Sequence, residues 1–279
     1  MKDNPLYLII FFGLILISVL YTAKISGFFK IKPKISKKTF SYTLYNTVVF
    51  IGIFSLFNYF FASIFFQSML NFMSNMFFVT AITHFVTSIL TCFCYFIYYR
   101  ALNKTSSVKT IFKNSDSSIT FDIFLGIVSW IIIFPGVQIL AEITELLVKY
   151  VFKLTVIPKQ SIVFFLKTIS QTPSYFALTV FTISILAPIV EEIIFRGVVQ
   201  NYLSQKMKKS YAIIITSIIF ALVHFHSKQG YGNIVIIPTL FFLSLFLGFL
   251  YVRQKSIFTP IALHATFNAI SVLSIFIKP

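Results

Sequence analysis

A-P-I-V-E-E-I-I-F-R-G, residues Ala187–Gly197, sits inside an apolar run that begins near Pro173. Three ionisable side chains, Glu191, Glu192 and Arg196, therefore fall in a low-dielectric stretch. Each ionised group there costs about 2.5–3.5 kcal/mol on insertion scales. The whole chain holds only 7 acidic residues, and two of them are adjacent at this point. Leu at either position would avoid the cost, so the carboxylates read as functional groups.

The rest of the composition agrees with a membrane setting. Of 279 residues, 58% are hydrophobic and 11% charged, with 37 Phe. A soluble core of this size has no use for so much apolar surface, whereas an all-α polytopic transmembrane bundle needs it. Apolar runs of about twenty residues give eight expected spans, near 5–23, 42–66, 73–99, 121–148, 174–203, 211–226, 233–251 and 257–277. The intervening loops are too short for a soluble domain, so residues 1–279 read as one membrane-embedded unit in the cell membrane. The first run follows Lys2 and lacks a small-x-small cleavage site before Lys24, which favours an uncleaved span over a signal peptide.

The net charge of +16 does not indicate nucleic acid, because the basic residues stand in short loops between apolar runs. Lys and Arg concentrate in alternate loops, at Lys24–Lys38, Arg100–Lys113, Lys206–Lys209 and Arg253–Lys255. This distribution favours both termini outside. Lys149, Lys153, Lys159 and Lys167 in the fourth loop oppose that orientation. Cys92 and Cys94, one residue apart in an apolar segment, suggest neither a disulfide framework nor a zinc site. Among other polar residues within the early spans, His84 reads as a helix-interface hydrogen bond. Asp122 reads as a carboxylate at a helix N-terminus. Glu142, Glu145 and Lys149 read as a solvated helix end with a Glu145–Lys149 pair.

The last third carries the chemistry. On a helix, Glu192 and Arg196 are four residues apart and share a face as an ion pair, while Glu191 points about 100° away. Glu191 is thus left desolvated and without a close cation, which suits a general base. The loop between spans five and six centres on Met207, with Glu191 16 positions before it and His224 17 after it. Equal offsets in an antiparallel hairpin mean equal height, so the two side chains can meet within the membrane. From the next reversal, centred on Gln254, His264 and Asn268 stand about 15 and 21 Å along one helix face. A Glu and a His can deprotonate a water, and a second His with an Asn can donate to an oxyanion. The same groups could instead ligate a divalent metal such as zinc. His226 remains a rival to His224, though nearer a solvated loop.

These motifs resemble those of a known family. E-E-I-I-F-R-G with Pro188 ahead of it, F-A-L-V-H at Phe220–His224 and H-A-T-F-N at His264–Asn268 are similar to EExxxR, FxxxH and HxxxN. Those three motifs belong to the CAAX-protease and bacteriocin-processing (CPBP, or Abi) family of intramembrane endopeptidases. The resemblance places a family-like catalytic core in residues 174–277, and the first 170 residues offer nothing to match. It implies Glu191 as the base that activates water and His224 as its partner on that water or on a metal. His264 with Asn268 becomes the oxyanion-side pair, and Glu192 and Arg196 support the site. A metal, if used, would fall to Glu191, His224 and His264.

The implied reaction is hydrolysis of a peptide bond in a peptide or membrane-associated protein, by a glutamate-type or metal-dependent enzyme. The implied substrates are prenylated CAAX-like tails, or bacteriocin and pheromone precursors. No Ser, Thr or Cys joins the constellation, so a covalent intermediate is not expected. Two other classes remain. A non-catalytic membrane regulator or scaffold, including bacteriocin self-immunity, predicts that Glu191→Ala is harmless. A proton-coupled transporter would show discontinuous helices and internal pseudo-symmetry, and no repeat is visible in the sequence. Charge counting also leaves Glu191 about 24 Å from the inner loop.

Overall fold

The computed structural model describes residues 5–30, 43–103, 117–154 and 161–277. Within them the chain forms nine helices: α1 Pro5–Ile25, α2 Leu44–Leu70, α3 Met76–Asn103, α4 Ile119–Phe152, α5 Ser161–Ile169, α6 Pro173–Lys206, α7 Lys209–Leu222, α8 Gly232–Gln254 and α9 Phe258–Ile277. Seven of these are long and apolar enough to cross a membrane. The protein is a multi-pass membrane protein built as a polytopic helical bundle. Many of the lysines used to orient the chain, among them Lys32–Lys38, Lys104–Lys113 and Lys159, lie outside the described residues.

The expected spans and the helices coincide except at two places. The sixth span ends early. Helix α7 has 14 residues, about 21 Å at 1.5 Å per residue, against a hydrocarbon core of about 30 Å. Its last turn tightens, with His224 N–H donating to the Ala221 carbonyl and Phe225 N–H to that of Leu222. These i→i+3 bonds end the helix, so His224 stands just beyond it rather than on it. The fourth loop, expected to be irregular, contains the nine-residue α5. Its Leu166 and Ile169 are buried, and Phe164 and Phe165 meet Phe77 of α3.

Helix α6 is the spine. Pro173 starts it, where a missing N–H costs nothing, and Pro188 lies within it. Just ahead of Pro188 the chain makes a π-helical turn over Thr182–Leu186, closed by the Ala187 N–H on the Thr182 carbonyl. A second π segment covers Ile193–Gln200. Such turns relieve a broken i→i−4 ladder and re-aim the side chains that follow. Val190, Ile193, Ile194, Phe195 and Val198 of α6 then pack with Phe50, Tyr95, Phe220 and Tyr251 into one buried core.

A second core joins α4, α8 and α9 through Ile132, Ile133, Val137, Leu243, Leu247, Leu250 and Leu263. Helices α4 and α9 approach closely at Gly126. A Cβ there would lie 2.4 Å from the Thr259 carbonyl oxygen and 2.7 Å from the Ala262 Cβ. Only a glycine permits that approach.

On α3, His84 shares a helical face with the buried Thr87, Ser88 and Thr91. Asp122 stands in the first turn of α4, as expected, and is fully buried there. It accepts from Ser117 Oγ at 2.8 Å and from Gln254 Nε2 at 3.3 Å, while Ser118 caps the helix. It therefore ties α4 to the end of α8. The Glu145–Lys149 pair forms as expected, at 2.6 Å and half in solvent.

Candidate active site

Glu191, Glu192, His224 and His264 come together between α6, the end of α7 and α9. Glu192 and Arg196 are fully buried, and Glu192 Oε1 accepts from Arg196 Nη1 at 2.9 Å. The same Oε1 lies 2.8 Å from His264 Nδ1. Sequence spacing pairs Glu192 with Arg196 but carries no sign of this second bond, which spans 72 residues. The other guanidinium nitrogen, Nη2, donates to Ser244 Oγ at 2.7 Å, and the Phe220 ring lies 4.7 Å from the Arg196 carbon. A buried ion pair costs desolvation on both sides, and these extra bonds are what offset it.

Glu191 is placed differently. Its Oε2 is 3.9 Å from His224 Nε2 and 3.9 Å from His264 Nε2, and it has no hydrogen-bond partner although buried. His224 Nδ1 lies 2.7 Å from the Phe220 carbonyl oxygen. Each Nδ1 faces an acceptor, and the tautomer that satisfies it, with the proton on Nδ1, turns both Nε2 lone pairs toward Glu191. Three acceptor atoms converge with no donor among them.

Phe220, four residues before His224, is the hub of this packing. Its carbonyl takes the His224 proton, and its ring touches His224, His264, Phe195 and the Arg196 guanidinium. That contact set is a physical reason for the F-x-x-x-H spacing.

The other candidates sit apart. Asn268, one turn beyond His264 on α9, donates from Nδ2 to the Ile183 carbonyl at 3.0 Å, inside the first π turn of α6. Its amide therefore engages the backbone of α6 rather than a carboxylate. The His226 side chain lies exposed. Ile189 and Ile193 of α6 are each two residues from Glu191 and so face the opposite side of the helix. There they line an apolar cavity of about 190 Å³ with Phe50, Cys92, Tyr95 and Phe96.

The donor set can be tested against a metal. Neighbouring ligands of a tetrahedral zinc at about 2.0–2.1 Å stand about 3.3 Å apart. The two 3.9 Å separations are wider, and no group of three or more His, Cys, Asp or Glu side chains among the described residues stands ready to hold a metal ion. A water fits better. Held about 2.8 Å from two atoms 3.9 Å apart, it would see them at about 90°, a normal hydrogen-bond geometry.

The fold and this site define a class: a multi-pass membrane protein with a carboxylate–histidine cluster inside its helical bundle. Residues 173–270 match the family model described as Rce1-like, type II CAAX prenyl endopeptidase Rce1-like. A curated relative, "Putative membrane peptidase YdiL" of Bacillus subtilis, is 36% identical over 90 residues. That alignment covers 32% of this chain and about a third of the relative's length. No solved structure matches. The resemblance expected from the three motifs is borne out over the segment that carries them.

Proposed function

We propose that the protein is an intramembrane endopeptidase that hydrolyses a peptide bond through a water held by Glu191 and His224. The observation that carries this reading is the orphaned, buried Glu191 Oε2 facing two imidazole lone pairs at 3.9 Å. A water there donates to Glu191 and to His224 Nε2. Its oxygen attacks the scissile carbonyl carbon as its proton passes to Glu191, and the carbonyl oxygen becomes an oxyanion. Glu191 then returns the proton to the leaving amine as the C–N bond breaks. His264 Nε2, after taking a proton from solvent before the substrate binds, donates to the oxyanion, and Glu192 beside Nδ1 supplies the counter-charge. Asn268 supports the oxyanion side by pinning α9 to α6. No step requires a metal, and cleavage is expected to persist in a chelator.

The substrate class follows from where the site lies. A carboxylate inside the bundle serves a peptide or protein segment that itself enters the membrane. Prenylated CAAX-like tails and bacteriocin or pheromone precursors both qualify. The test compares wild type with Glu191→Gln in native membranes, reading endogenous peptide masses and protein abundance in the same samples. A product that disappears while the variant stays at normal level supports proteolysis. An unchanged peptide profile together with an unchanged cellular phenotype overturns it in favour of a membrane scaffold.

A further inference from the structure

His224 stands beyond the end of α7, so its position depends on the segment that follows it. That segment is closed by one side chain. Asn233, in the first turn of α8 and 5% exposed, accepts from the His226 N–H through Oδ1 at 3.1 Å and donates through Nδ2 to the His226 carbonyl at 2.9 Å. The amide thus pairs with both polar groups of one residue, as a neighbouring β-strand would. Nδ2 also donates to the Gly230 carbonyl at 3.1 Å, and the Asn233 N–H bonds to the same oxygen at 3.1 Å. Gly230 itself has φ +50° and ψ −126°, a conformation that favours glycine.

We propose that Asn233 is a positioning residue for the hydrolytic reaction, holding His224 Nε2 at Glu191 by clasping the backbone two residues downstream. The inference rests on the endopeptidase reading for its consequence but not for its geometry. The His224 ring is fixed by its Nδ1 bond to Phe220, and its backbone is held between the last turn of α7, where its N–H bonds to the Ala221 carbonyl, and the chain leading to His226. No other residue type offers one acceptor and two donors at this reach. Asp would set a second oxygen against two carbonyls, and Ala would release all three bonds.

The experiment uses the full-length protein in membranes or detergent. Asn233→Ala is expected to lower kcat roughly 10- to 100-fold with KM little changed, the scale of a misplaced catalytic group. Gly230→Ala loosens the same loop without touching the Asn233 side chain and is expected to act in the same direction. Against a His224→Ala background, both effects should vanish, because the clasp acts through His224. The second readout is independent of activity. Peptide-level labelling of His224 by diethylpyrocarbonate should change several-fold in Asn233→Ala, at a folded level set by thermal stability. Additive losses in the double variant, or an unchanged His224 labelling rate, would overturn the proposal. If the wild type cleaves no peptide, the proteolysis reading fails and the labelling rate alone decides the clasp.

Discussion

Glu192 and His264 share a 2.8 Å bond between Oε1 and Nδ1, and that bond decides which nitrogen of His264 faces Glu191. In the proposed reaction the two adjacent glutamates therefore divide the work: one fixes an imidazole and a guanidinium, the other meets the reacting atoms. Glu192→Gln is expected to leave Arg196 as a buried unpaired cation and to lose about 3–5 kcal/mol of stability, the range for breaking one side of a buried pair. Thermal unfolding in detergent checks this, with a markedly lower midpoint expected and an unchanged one counting against it.

Glu191→Gln should behave in the opposite way. Its Oε2 makes no hydrogen bond, so the fold has little to lose. Loss of a general base should lower cleavage about 10²- to 10⁴-fold. Parallel measurement of turnover and unfolding midpoint separates the two glutamates, and similar stability losses in both would sink the division.

Ser244 tests the far end of the polar chain. Its hydroxyl takes a 2.7 Å bond from Arg196 Nη2. Ser244→Ala should cost about 1.5–3 kcal/mol, as hydrogen bonds to charged groups do, and the shift in unfolding midpoint reads it. The backbone carbonyl of the same residue, 3.3 Å from Nη2, stays in place and limits the loss.

Gly126 offers a test of packing alone. A methyl group there meets the Thr259 carbonyl oxygen at 2.4 Å, and backbone cannot yield as a side chain can. Gly126→Ala should destabilise by about 1–3 kcal/mol. Gly248→Ala meets chiefly the far end of Gln200 at 2.7 Å and should be milder. A reversed order of unfolding midpoints would contradict the α4–α9 contact.

Much of this architecture is legible in the sequence. Hydropathy places the membrane helices because lipid forces each span to be long, apolar and helical. Equal offsets from Met207 bring Glu191 and His224 to one height, and they lie 3.9 Å apart. What escapes is non-local or irregular. The early end of α7 carries no Gly or Pro at its boundary, so hydropathy runs past it into Val223–Phe225. The Glu192–His264 bond joins helices whose facing sides the spacing alone does not fix. Helix α5 is short and amphipathic, below the length that marks a span. Asn233 resembles any polar residue after a loop, since its three partners are backbone atoms and backbone leaves no mark in a sequence.

The short α7 has a consequence for how the proposed hydrolysis would run in oil. A helix of about 21 Å cannot match a hydrocarbon layer of about 30 Å, so lipid beside it must thin or polar head groups must sink toward its end. His224 stands at that end. Under the proposed function, such a mismatch would draw the aqueous boundary inward to the one imidazole of the cluster that is a third exposed, supplying the reaction with water while Glu192 and Arg196 stay dry behind it.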